Sequence, residues 1–244
     1  MATKVSFPIP QDKIEESFVW RDWFQKLSNR AFGTASTLDV PIQAIYGGTG
    51  ITNYNVGDIL YSPSSNLLTR LPAPTVTSFL QMTSAGVPSW SARNYGSFHD
   101  TTTQTAAAAT PTAITFNTTD YSTGIALGTP TSRVVISKAG NYNVQFSIQG
   151  NNPDVSADNI TVWFRINGTD VTDSAGTSAI LGKHGSTHGA LVFGWNQLLT
   201  FSANDYFEIY WTTDSGNSSL ITYAAGTSPA HPLSPSVAIS ITPL

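Results

Sequence analysis

Four histidines, fifteen acidic residues and no cysteine bound the chemistry open to this 244-residue chain. His184 and His188 stand on either side of Gly185-Ser186-Thr187 in a glycine-flanked turn, a spacing that would bring two imidazoles to one metal ion if copies met on an axis. Two ligands without a nearby carboxylate or thiol make a thin site, so they read as polar loop histidines and no metal is assigned. Asp154, Asp158, Asp170 and Asp173 carry the hard oxygens that calcium takes, but they lack the D-x-D-x-D-G spacing and read as solvated loop edges. There is no G-x-S-x-G elbow, no H-E-x-x-H pair and no thiol nucleophile. Paired carboxylates for glycan cleavage need only lie about 5–9 Å apart, which spacing in sequence does not test. The expectation is a protein that is not an enzyme and needs no cofactor.

The Gly47–Gly50 run, Gly-Gly-Thr-Gly, invites comparison with a phosphate loop. No Lys-Ser/Thr follows it and no strand–helix frame surrounds it, so it reads as a tight turn. Trp163, Trp195, Tyr206, Tyr210 and Trp211 offer faces on which sugar rings stack, yet core and subunit packing is the commoner use of such residues. Only 11% of residues are charged, against about 25% in average soluble domains. Hydroxyl, amide and glycine residues must therefore cover the surface, while 40% hydrophobic content still supplies a core. The net charge is −4 and no basic run exists, which excludes a partner gripped through nucleic-acid phosphates. The opening MATKVSFPIPQDK has no apolar signal stretch and no segment has the roughly 18 apolar residues of a membrane span, so no membrane insertion and assembly in a cytoplasm are expected.

Charge also divides the chain. Residues 1–33 carry the densest charge and one convincing helix: Asp12 as cap, Glu15 and Glu16 in the first turn, Lys26 and Arg30 in the last, and Gly33 as the stop. Ile14, Phe18, Trp23, Leu27 and Ala31 recur at helical spacing, widened by Val19, Trp20, Phe24 and Phe32. One helix cannot hide that arc, so it reads as docking on another chain or on copies of itself. Residues 34–94 are rich in Gly, Pro, Ser and Thr and read as short extended pieces joined by turns. Residues 95–244 read as β throughout. Tyr142, Val144, Phe146 and Ile148 alternate with polar residues, as do Ile160, Val162, Phe164 and Ile166. Asn167-Gly168 is the signal of a two-residue hairpin. Further strands are expected at 112–117, 131–138, 189–202, 205–213 and 235–242, giving a two-sheet sandwich. Ala190–Trp195 and Tyr206–Trp211 are apolar on both faces, which predicts that a sister subunit covers Phe193, Trp195, Tyr206 and Tyr210.

Two resemblances follow from these stretches. Tyr46–Ala92, with its GGTG start, GDILY step, leucine pair and GVPSW finish, resembles the short repeat of tailed-phage fibre and spike proteins. AITFNT (Ala113–Thr118), SKAGNYNVQFSIQ (Ser137–Gln149), FRINGT (Phe164–Thr169) and the tail Tyr223–Leu244 look like the trimeric jelly roll of the complement-head and tumour-necrosis-factor-like class. VWRDWFQKLSN is similar to virion-attachment segments. The resemblance implies a mainly β homotrimer with an N-terminal virion-attachment helix (1–33), a short fibrous β stalk (34–94) and a C-terminal antiparallel β-sandwich, or jelly-roll knob (95–244). Phe18, Trp20, Trp23, Phe24 and Leu27 would then anchor the chain to other virion proteins of capsid, portal or tail. Tyr142, Val144 and Phe146 would lie in a core strand facing the threefold axis and pack the trimer. Loops at one end, with Asn151, Asn152, Asp154, Asp214 and Asn217, would be the candidate receptor contacts, and a host-surface glycan the ligand. The implied location is the virion, as an adhesive fibre or spike, or alternatively as a capsid decoration or head fibre without receptor binding.

Overall fold

The computed structural model describes residues 18–32 and 48–244, in two compact units, 1–91 and 92–244. In the first unit, α1 (Phe18–Phe32) is the one described helix. The Asp12 cap, Glu15, Glu16 and the Gly33 stop fall outside the described residues. Lys26 pairs with Asp22 one turn back at 2.6 Å, and Gln25 donates to Asn29 at 2.9 Å, so the polar side of the helix ties itself together. Among the described residues no helix is long and apolar enough to cross a membrane.

The other described elements before the second unit's sheets are two hairpins: β1 (Ile59–Ser64) with β2 (Leu67–Leu71), and β3 (Ser78–Met82) with β4 (Pro88–Ala92). The residues of the fibre-like motif make the ties. Asp58 accepts amides from Asn55 (2.6 Å) and Ala73 (3.1 Å) and pairs with Arg70 (3.2 Å). Trp90 donates its indole N–H to the Pro72 carbonyl at 2.7 Å, which fastens the second hairpin to the end of the first. The described residues here build no core. None of the described residues before Asn94 is buried, and Tyr54, Val56, Leu67, Val76, Phe79, Leu80 and Met82 are exposed, Val56 completely. Two-stranded hairpins are marginal in water by themselves, and the described residues of this unit give them no buried face.

The second unit is mainly β and holds the core. Its strands begin with β5 (Tyr95–Asp100), β6 (Gln104–Thr105), β7 (Thr112–Ala113), β8 (Thr118–Thr123), β9 (Ile125–Leu127) and β10 (Val134–Ile136). The two longest follow, β11 (Gly140–Asn152) and β12 (Asp158–Ile166), then β13 (Thr169–Asp170), β14 (Gly176–Ile180), β15 (Gly189–Phe193) and β16 (Asn196–Phe201). The last are β17 (Tyr206–Thr213), β18 (Ser219–Leu220), β19 (Gly226–Thr227), β20 (Ala230–His231) and β21 (Val237–Pro243). One sheet runs β8–β5–β21–β11, with β16 and β15 in succession along the far edge of β11 and β18–β6 at its end. The other runs β9–β10–β17–β12, with β14 and β13 beyond β12 and β7 beside β17. The predicted strand over 112–117 shrinks to β7, and the one over 189–202 breaks into two at Gly194-Trp195. The hairpin turn stands as read: Asn167 and Gly168 both take positive φ (50° and 81°) between paired Ile166 and Thr169.

The sheets pack face to face. Tyr142, Val144, Phe146 and Ile148 of β11 and Val237, Ile239 and Ile241 of β21 meet Ile160, Val162, Phe164, Phe207, Ile209 and Trp211 from the opposite sheet. Phe146 meets Phe164 edge-on at 5.6 Å across the gap. This corrects the trimer-packing assignment. Tyr142, Val144 and Phe146 are buried inside a single copy, so no sister chain can touch their side chains. Phe193 and Trp195 also pack inward on the edge of that core, Trp195 with its ring 4.6 Å from Phe146.

Candidate functional site

Strand direction fixes which end of the second unit is which. β5 starts at Tyr95, just after the join, and Asp100 at its far end pairs with Val237, which in turn pairs with Ile148 of β11. The loop after β11 therefore lies at the end remote from Ala92. The predicted receptor residues do gather there, in three loops that hold one another. Asp154 accepts the Asn217 side-chain amide at 2.8 Å, Asp214 accepts that of Asn159 at 2.7 Å, and the Lys183 amide donates to the Asp154 carbonyl at 2.6 Å. Asp154, Lys183, Asn217 and Pro153 line an open cleft of about 280 Å³.

Asn151 and Asn152 require a correction. β11 runs on to Asn152, so both belong to the strand and are buried. Asn152 donates to the carbonyls of Ser156 (2.8 Å) and Ile180 (3.3 Å) and accepts the Asp154 amide (2.9 Å), while Asn151 meets the His188 ring at 3.1 Å. They brace the loop and are closed to a receptor. His188 is thereby engaged, and among the described residues no group of three or more His, Cys, Asp or Glu gathers around a metal position.

Asp158 anchors the same loops from below, buried and accepting the Ser215 amide at 3.0 Å. Burial pushes its carboxyl up, but the nearby Ser218 and Ser215 polar groups outweigh that and leave its pKa below the ordinary aspartate value. A carboxyl depressed in the fold contributes stability that is complete above the unfolded value and is lost as pH falls through the folded one. In an NMR acid titration the Ser215 amide is thus expected to shift with a midpoint below the roughly 3.9 of a free aspartate. A midpoint at or above that value would refute the brace, and Asp158→Asn is expected to abolish the transition.

Tyr206–Trp211 also reads differently in three dimensions. Phe207, Ile209 and Trp211 point into the core, and Tyr206, Glu208 and Tyr210 point out. Their cover comes from the same chain. Arg133 lies 4.3 Å over the Tyr206 ring, Arg165 lies 3.9 Å over Tyr210, and Trp163 leans on Tyr210 at 5.8 Å. Asp170 accepts from both Arg165 and the Trp163 indole, contacts that hold its carboxyl below the usual range, and Ser132 donates to Glu208 at 2.6 Å. Tyr206 and Tyr210 therefore need no sister subunit.

The face left bare is the outer side of the other sheet. Register places Asn143 beside Leu198 and Thr242, Gln145 beside Asn196 and Ser240, Ser147 beside Ala238, and Ser97 beside Ser240 and Tyr121. It bears no lysine or arginine at these positions, and the Asp120 carboxylate on it meets His99 Nδ1 at 2.9 Å and accepts the Ser97 hydroxyl at 2.9 Å. Leu198 (58% exposed), Val192 (67%) and Tyr121 (61%) stand out from a floor of small polar residues. A groove of about 180 Å³ runs between Ser97, Gln145, Ser147, Ala238 and Ser240. Sequence reasoning missed this surface because its residues are small and polar, and only strand register brings them together.

Of the residues expected to serve attachment, Phe24 and Leu27 are exposed on α1 with Val19, while Trp20 and Trp23 are half-buried in a ring cluster with Phe24, 5.1–5.8 Å apart. Phe18 lies in the helix. Compared with known families and curated proteins, the chain matches no family description and no curated protein.

Proposed function

We propose that the chain is a structural virion protein of a tailed phage, a homotrimeric fibre or spike anchored through its N-terminal helix, whose distal sandwich adheres to host-surface glycans. The observation that carries this reading is the lack of a core among the described residues of the first unit. Its described residues form two hairpins with not one buried residue and a run of exposed large apolar side chains. A segment of that kind gains cover by winding with copies of itself, as the resemblance to fibre repeats implies. The strand orders β8–β5–β21–β11–β16/β15 and β9–β10–β17–β12–β14/β13 support a jelly roll of the complement-head and tumour-necrosis-factor-like class. In that arrangement the seam between subunits is the outer face that carries Leu198, Ser240 and Gln145. Loops at the far end then face outward, where many weak contacts multiply.

Light scattering on the purified full chain is expected to give three times the 26.0 kDa chain mass. A compact single-copy species at micromolar concentration overturns the trimer. Antibody labelling of particles is expected to mark a projecting fibre. Label spread over the capsid lattice, together with no binding to host cells, would make the chain a shell decoration instead.

A further inference from the structure

The far-end cleft is built in more detail than adhesion in general requires, and the inference drawn from it rests on the adhesive reading above. We propose that Asp154, Lys183 and Asn217 form a binding site for a neutral saccharide, one sugar ring per chain. The wall is braced before any ligand arrives. Lys183 N–H to Asp154 C=O (2.6 Å) zips the two loop backbones, and Asn152 holds the Ser156 carbonyl from beneath (2.8 Å). Their approach is so close at Gly182 that a Cβ there would sit 2.1 Å from the Val155 oxygen. A site whose frame is already fixed loses little ordering entropy on binding.

The rim offers an unspent mixture of donors and acceptors. Asp154 Oδ1 takes the amides of Val155 (2.6 Å) and Ser156 (3.4 Å), and Oδ2 takes one Asn217 Nδ2 hydrogen (2.8 Å), leaving Oδ2 a further lone pair. Asn217 keeps its second amide hydrogen and its Oδ1, because its backbone rather than its side chain reaches Ser215. Lys183 Nζ has no hydrogen-bond or ion-pair partner among the described residues, which leaves three donors pointing from one wall. Vicinal ring hydroxyls, each a donor and an acceptor, match such a set. One cation and one carboxylate line the cleft, so an acidic ligand gains no net attraction. Pro153, the one apolar residue lining the cleft, supplies apolar surface for the C–H face of a pyranose. At about 280 Å³ the cleft lies just below the roughly 300–1,000 Å³ of small-molecule sites, which suits a single ring.

The test is saturation-transfer NMR on the full-chain protein with glucose, galactose, rhamnose and N-acetylglucosamine offered singly, sialyllactose as the acidic comparison, and host-cell binding measured alongside. At least one neutral sugar is expected to saturate with Kd on the order of 1 mM. Lys183→Ala and Asn217→Ala are each expected to weaken it about tenfold without changing mass or far-UV circular dichroism. Lys183→Gln, which keeps most of the stem, replaces the alanine variant if that one perturbs the loop. Sugar binding that survives both substitutions overturns the site. Preference for sialyllactose with steep salt dependence overturns the neutral chemistry. Host-cell binding with none of the four neutral sugars bound overturns this proposal and leaves adhesion standing, whereas sugar bound in the cleft without host-cell binding counts against the adhesive role alone.

Discussion

Aspartate in place of Ser240 is expected to break the proposed trimer into single chains while each sandwich keeps its fold. Ser240 sits on β21 between two buried isoleucines, Ile239 and Ile241, so its own side chain is the one that points away from the core. Its register partners are Gln145 on one side and Ser97 on the other, at the floor of the uncharged groove. In one copy a carboxylate there faces water and costs little. In the proposed trimer three carboxylates would be stripped of water together near the axis, with no lysine or arginine at the register positions of this face to answer them. Leaving a charge unpaired in a dry interface costs about 3 kcal/mol or more, at least about a hundredfold in the assembly constant. Light scattering reads the mass, and circular dichroism reads the unchanged fold. A variant that stays trimeric would place the seam on another face.

How much of this was legible in the sequence depends on how locally the information is held. β11 and β12 were readable because their apolar residues alternate strictly and both faces behave as alternation demands. The Asn167-Gly168 turn was readable because two adjacent positive φ values leave few residue choices. β8 was not, since Thr118–Thr123 is almost all hydroxyl and acid and carries no apolar period. YFEIYW misled for a different reason. Its composition shows that two faces are apolar, but not that Arg133 and Arg165, 73 and 45 residues back from Tyr206 and Tyr210, lie over the outer one. Asn151 and Asn152 looked like loop because polar residues end most strands. Here the strand continues, spends the Asn152 amide on neighbouring carbonyls and engages Asn151 Oδ1 with the His188 ring. The cleft itself joins Asp154 to Asn217 across 63 residues, a distance at which pattern says nothing.

Truncating Trp211 is expected to do the most damage to the sandwich itself. Trp211 is wholly buried on β17, paired with Val162 on one side and Thr112 on the other, in the middle of the sheet. Trp211→Ala removes the whole indole and leaves a cavity that the flanking strands cannot close, at a cost of about 3–5 kcal/mol. That is a large share of the roughly 5–15 kcal/mol that holds a typical domain together. Trp211→Phe separates packing from polarity. The indole Nε1 is buried with no hydrogen-bond partner among the described residues, so the native side chain already carries a desolvation cost of about 1–3 kcal/mol. Phenylalanine loses some contact area but sheds that unpaired donor, and its net loss is expected to be under half of the alanine loss. Urea unfolding followed by circular dichroism measures both. Equal losses would mean that the indole nitrogen does have a partner, such as an enclosed water molecule bridging β17 and β12, and that the centre of the sheet is held by polarity as well as by packing.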